Sequence, residues 1–146
     1  MNVKYETSAG GIVYKKEGNR TLWLITQHSY HKGWVFPKGL IGDHDEEEKK
    51  EKAALREVKE EGGVVAKIVH PEPIVAKYNY RFKEYFVKKT VYYFLMEYVS
   101  GNPENHDWEM MDARFAPVEE VKKTLTYKSD KEAFEKILEI FKKISS

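Results

Sequence analysis

Cysteine is absent from this 146-residue chain. That removes disulfides, thiolate metal sites, cysteine nucleophiles and iron–sulfur clusters together. An excess of charge is also missing. Lys plus Arg number 25 and Asp plus Glu 24, a formal net charge of +1. Stable binding to nucleic acid or to an anionic membrane surface rests on surplus basic charge, so neither partner is expected. The longest apolar run, residues 91–96, is far short of the roughly 20 residues a membrane helix needs. Residues 1–11 hold no basic segment followed by an apolar one, so a secretory signal is not expected either. There is no repeat, no Pro- or Gly-rich linker and no low-complexity tract. Apolar residues at 41% and charged residues at 34% instead suit one globular domain over 1–146, expected in the cytoplasm as a monomer or homodimer.

Periodicity supplies the elements. Residues 8–14 and 22–28 read as strands, the second alternating Leu22 and Leu24 against Trp23 and Ile25. Between them, Glu17-Gly18-Asn19-Arg20 has hairpin-turn chemistry. A long loop at 28–45 follows, of the kind that often carries function. Residues 47–61 predict a helix, with Ala54 and Val58 as its apolar pair and Gly62-Gly63 as its stop. Strands are predicted at 64–69, 74–82, 89–99 and 113–116, then helices at 118–123 and 130–144. The last helix is expected to begin at a Ser129 or Asp130 cap, with Ala133, Phe134, Ile137, Leu138, Phe141 and Ile144 as its apolar stripe. The strand at 89–99 is apolar on both faces (Val91, Tyr93, Leu95 against Tyr92, Phe94, Met96). Such a strand is central and covered on both sides. The fold class is therefore α/β: a mixed sheet between helices.

The chemistry concentrates at residues 56–64. Glu57, Glu60 and Glu61 are spaced i, i+3 and i+4 and share one helix face. Clustered carboxylates suit Mg²⁺ or Mn²⁺ bound together with phosphate oxygens and water. A solvated acidic face is the alternative reading of the cluster alone. The flanks extend the pattern to Gly42, Glu48, Arg56, Glu57, Val58, Glu60, Glu61, Gly63 and Val64. Chance would produce such a match on the order of 10⁻⁹ to 10⁻⁸ per window at average residue usage.

This segment resembles the Nudix box, the signature of hydrolases that cleave a nucleoside diphosphate linked to another group. The resemblance implies an α/β/α sandwich fold and a metal-dependent pyrophosphohydrolase. It implies that Glu57, Glu60 and Glu61 ligate divalent metal, with one of them available as base. Arg56 would orient those carboxylates, and Glu48 would be its structural partner. The Gly39 carbonyl would complete a metal site. Phe36-Pro37-Lys38-Gly39 lies three residues earlier than the family pattern places it. Either Gly42 is the box glycine, or Gly39 is and a three-residue insertion follows it; the likeness of residues 34–39 to the family's usual approach favours the insertion. Lys38 is either a phosphate-neutralising lysine or a solvated loop residue.

Residues 77–94 and 106–115 look like the diadenosine polyphosphate hydrolase branch. That likeness implies base stacking by Tyr80, polyphosphate binding by Arg81 and Lys89 with Lys83 and Lys88, and Glu109 as a fourth metal ligand or the base. For Tyr80 the alternative is an ordinary strand tyrosine; for Glu109, an exposed loop carboxylate. The expected partner is a small nucleotide. Diphosphoinositol polyphosphates, oxidised nucleotides and ADP-ribose remain alternatives, as does a non-catalytic nucleotide-binding module. The five histidines show no zinc spacing and read as surface or substrate-loop residues.

Overall fold

A computed structural model describes residues 2–42 and 48–145. Its strands are β1 (Asn2–Glu17), β2 (Arg20–His28), β3 (Trp34–Val35), β4 (Lys38–Leu40), β5 (Val64–Ile68), β6 (Ile74–Phe82), β7 (Tyr85–Gly101) and β8 (Met110–Pro117). Its helices are α1 (Lys50–Gly62), α2 (Val118–Thr124) and α3 (Lys128–Ser145). All eight strands join one mixed sheet.

The sheet is organised by its two longest strands. β1 and β7 run parallel from Asn2↔Tyr85 to Tyr14↔Glu97. Each then takes different antiparallel partners along its length. β1 pairs β4 through Ser8–Gly10 and β2 through Tyr14–Glu17. β7 pairs β6 along its first half and β5 along its last. The sheet is therefore forked, and β4 sits at the edge of one branch.

Strand alternation divides the core in two. Ile12, Trp23, Ile25, Val91, Tyr93 and Leu95 pack beneath Ala133, Phe134 and Ile137 of α3. Ala9, Val13, Leu24, Phe94 and Met96 pack beneath Ala53, Ala54 and Val58 of α1. The central strand is apolar on both faces because each face has its own helical cover. This is the α/β/α arrangement expected from the pattern.

The helix stop at Gly63 is also as expected. Gly63 adopts φ +73°, and its N–H donates to the Lys59 carbonyl at 3.0 Å, a left-handed C-cap. Three expectations are corrected. β1, β7 and β8 run well beyond their predicted ends: pairing carries β1 back to Asn2 and β7 back to Tyr85, and the added residues include the buried Val87 and Met110. α3 starts at Lys128, and Asp130 is no surface cap: it is buried and accepts the Tyr93 hydroxyl at 2.8 Å. Ile144 is exposed rather than part of the α3 stripe, since the sheet ends beneath Phe141. Glu47 and residues 43–45 of the loop after Gly39 lie outside the described residues; Glu48 and Lys49, predicted as helix, precede α1, which begins at Lys50.

Candidate active site

Packing of α1 places its carboxylates. Ala54 and Val58 are fully buried, so the adjoining Glu57 and Glu61 go down with them; each is 5% exposed. Arg56 acts as the hub. Its Nε and Nη2 hold Glu48 bidentately at 2.8 and 2.9 Å, and its Nη1 donates to Glu57 at 2.7 Å and Glu60 at 3.2 Å. The Gly42 N–H also donates to Glu48, at 3.2 Å. Glu61 accepts the Lys38 backbone N–H at 3.1 Å. Burial raises Glu57 to about 7 against the pull of Arg56, and Glu61 to about 8 against the pull of Lys38.

β4 is the hinge of the site. Gly39 and Lys38 pair with Ala9 and Gly10 of β1, so they address opposite faces of the sheet. Gly39 turns toward α1, where a Cβ would overlap the Glu57 carboxylate. Only glycine lets the backbone approach so closely. Lys38 turns toward α3, among Tyr78, Asp130 and Tyr127. Burial works against its charge, but these neighbours and Glu61 outweigh it and raise its pKa.

A cleft of about 1370 Å³ wraps this edge. One flank holds Gly39, Glu57, Glu60, Glu61, Asp107 and Glu109; the other holds Lys38, Tyr78, Tyr80, Lys89, Tyr127 and Asp130. The Glu109 loop is tied down at both sides. The Asp107 N–H donates to the Glu60 carbonyl at 2.8 Å, and the Ser29 N–H donates to the Glu109 carbonyl at 2.9 Å. His28 and His31 stack at 4.4 Å between centroids beside it. The Tyr127 hydroxyl lies 2.9 Å from His31 Nδ1. Burial holds both imidazoles below their ordinary pKa.

A family model described as the NUDIX domain matches residues 4–137. The chain belongs to the Nudix family. It is 29% identical to the putative mutator protein MutT4 of Mycobacterium tuberculosis (strain CDC 1551 / Oshkosh), an alignment covering all of this chain and 60% of that protein. The chain thus spans about 60% of that curated relative's length. An Ap4A hydrolase from C. elegans superposes with a TM-score of 0.68 at 23% identity, covering 97% of this chain and 99% of the other. A binary complex of a C. elegans Ap4A hydrolase gives 0.64 at 24%, covering 93% and 97%. The NUDIX domain of Shewanella oneidensis NrtR, complexed with ADP ribose, gives 0.61 at 19%, covering 96% and 88%. These likenesses establish the Nudix fold.

Nudix enzymes generally use a divalent metal such as Mg²⁺ or Mn²⁺. The residues of this chain fit one. The carboxylates gathered on α1 and its facing loop outnumber Arg56 and Lys38, and burial, with repulsion from neighbouring carboxylates, drives Glu57 and Glu61 toward protonation. A hard divalent cation relieves that cost and is chemically matched to carboxylate and carbonyl oxygens. Among the described residues, no three such side chains converge on one point in this conformation. Glu57 and Glu60 are drawn to Arg56, and Glu61 to the Lys38 N–H.

Of the residues expected from the sequence, Lys38, Gly39, Glu57, Glu60, Glu61, Tyr80, Lys89 and Glu109 share the cleft. Arg56 does not line the cleft; it stands behind it, bonded to Glu48, Glu57 and Glu60. The structure does not bring Arg81 into it. Tyr78 and Tyr80 lie on one face of β6 with centroids 6.3 Å apart; the cleft lining along β6 runs from Lys77 to Tyr80, and the exposed Arg81 lies just beyond it. Glu6, Asp107, Tyr127 and Asp130 gave no local signal as site residues. Glu6 is placed by pairing of β1 with β7, Asp107 by its loop's bond to the Glu60 carbonyl, and Tyr127 and Asp130 by the docking of α3.

Proposed function

We propose that this Nudix protein is a divalent-metal-dependent hydrolase of dinucleoside polyphosphates, taking diadenosine tetraphosphate and water to ATP and AMP. The observation that carries the proposal is the two-flanked cleft around β4. Carboxylates for metal face one side of a three-residue strand, and lysines with tyrosines face the other. A polyphosphate chain laid across β4 meets both. The two Ap4A hydrolases among the structural neighbours add support.

Bound metal supplies charge neutralisation at phosphorus and a more acidic water. Arg56 holds Glu57 and Glu60 in place, while the Lys38 N–H holds Glu61. The water oxygen bonds to phosphorus, the bridging P–O bond breaks, and a carboxylate of this set takes the water proton. Lys38 and Lys89 bind phosphate oxygens away from the breaking bond. The Tyr80 ring, 37% exposed, offers a base a stacking face.

The test is product analysis with Mg²⁺ over diadenosine tetraphosphate, ADP-ribose, 8-oxo-dGTP and a diphosphoinositol phosphate. Selective release of ATP and AMP from the first is expected. Selective turnover of another member refutes the substrate. Nucleotide binding with no turnover refutes the enzyme. Gly39→Ala is expected to lower kcat by about a hundredfold, since its methyl displaces the Glu57 carboxylate. An unchanged kcat in a folded Gly39→Ala protein would contradict the role given to that contact.

A further inference from the structure

Beside the basic flank of the cleft, against two of its lining residues, lies Glu6, an acid that neither the box nor the metal chemistry uses. Glu6 lies on β1 two residues before the cleft-lining Ser8, and its register partner on β7 is Lys89. Alternation puts all three side chains on the same face of the sheet. The Glu6 carboxylate accepts the Tyr80 hydroxyl at 2.6 Å and lies 3.4 Å from Lys89 Nζ. Lys4 Nζ follows at 3.9 Å. The Glu6 side chain is only 16% exposed. A fixed negative charge therefore sits against the two groups best placed to receive the far end of a polyphosphate chain. Tyr80 spends its hydroxyl on this carboxylate and keeps its ring for a base.

A carboxylate here is costly for phosphate in general, but unequally so. An internal phosphate carries one negative charge, whereas a terminal phosphate near neutral pH carries about 1.5 to 2. A chain end capped by a nucleoside puts a ring and a neutral sugar where an open chain puts that extra charge. We infer that Glu6 is a specificity residue that disfavours polyphosphates with a free terminal phosphate and so favours chains capped at both ends. This rests on reading the cleft as a polyphosphate site. Its charge is secured by its setting: despite the opposing effect of burial, Tyr80 and Lys89 hold the Glu6 carboxyl below its ordinary pKa.

Glu6→Gln keeps the size of the side chain and an acceptor for Tyr80, and removes only the charge. Two measurements decide the matter. The first is calorimetric affinity for inorganic tripolyphosphate without metal. The second is kcat/KM for diadenosine tetraphosphate against adenosine 5′-tetraphosphate. The variant is expected to bind tripolyphosphate about tenfold tighter, and the capped-to-open preference is expected to fall by about the same factor. Turnover of the capped substrate should stay within about twofold. Equal changes for both substrates would make Glu6 a positioning residue and overturn the inference, as would no change in either. If wild type does not hydrolyse diadenosine tetraphosphate, the proposed function fails by itself and the tripolyphosphate arm still decides the role of Glu6.

Discussion

Glu61→Gln is expected to cost about a thousandfold in turnover and yet to raise the melting temperature of the metal-free protein near about pH 8. Both effects come from burial. Glu61 is held under the sheet edge, with its folded pKa raised to about 8, and Glu57 beside it is raised to about 7. A raised folded pKa means that the folded state binds protons more tightly than the unfolded chain. The stability this contributes is fully present below the unfolded value of 4.5 and is lost as pH rises through 7 and then 8. Metal-free wild type should therefore melt lower at about pH 8 than at about pH 5, all else equal. The glutamine still accepts the Lys38 N–H but has no charge to bury. Its melting curve should be flatter with pH and higher by several degrees at the alkaline end, at about 3 to 5 °C per kcal/mol for a chain of this size. Mg²⁺ should raise the wild-type melting temperature most at alkaline pH, where the carboxylates are already deprotonated, and should raise the variant less. Thermal melts across pH, with EDTA and with Mg²⁺, check all of this. A variant that melts below wild type at every pH in EDTA would mean that Glu61 is chiefly a structural hydrogen-bond acceptor.

The same physics explains how much of the molecule was legible. Periods of 2 and 3.6 are local, so the two-faced strand β7, the alternation in β2 and the apolar side of α1 could be read directly. The box could be read because one helix and the residues just before it supply Glu48, Arg56, Glu57, Glu60 and Glu61. What could not be read is whatever depends on distant pairing. Residues 2–7 alternate Val3, Tyr5 and Thr7 with polar residues, a short strand pattern that does not say which strand it joins; pairing with residues 85–90 of β7 brings Glu6 to Lys89. Lys38 and Gly39 belong, with Leu40, to a strand of only three residues, too short for any pattern, and its pairing with β1 sends them to opposite flanks. Asp130 carried a helix-cap signal, but its burial beside Tyr93 depends on where α3 docks. Arg81 shows the converse error. A basic residue next to a cleft tyrosine reads as a phosphate ligand, but the cleft ends along β6 at Tyr80.

Arg56→Met is expected to destabilise the fold by about 3 to 5 kcal/mol, the usual cost of removing one partner of a buried charge pair. Glu48 and Glu57 have side chains 2% and 6% exposed, and both lose the guanidinium that compensates their charge. The loss should show as a fall in melting temperature of about 10 to 20 °C. The penalty has a pH signature that a simple packing defect lacks. In the variant both carboxyls are expected to take protons more readily in the folded state. The deficit against wild type should then be small near about pH 4 and grow as pH rises toward about 8. Glu48→Met should be less harmful in the Arg56→Met background than in wild type, because it removes the stranded charge rather than breaking a pair. Arg56→Lys keeps a charge but loses the fork that grips Glu48 with two nitrogens and Glu57 and Glu60 with a third. It should recover part of the stability and little of the turnover, since the carboxylates would remain folded into the site without being aimed. A deficit independent of pH, together with strictly additive double-variant energies, would reduce Arg56 to a packing residue and leave the carboxylate geometry to the helix alone.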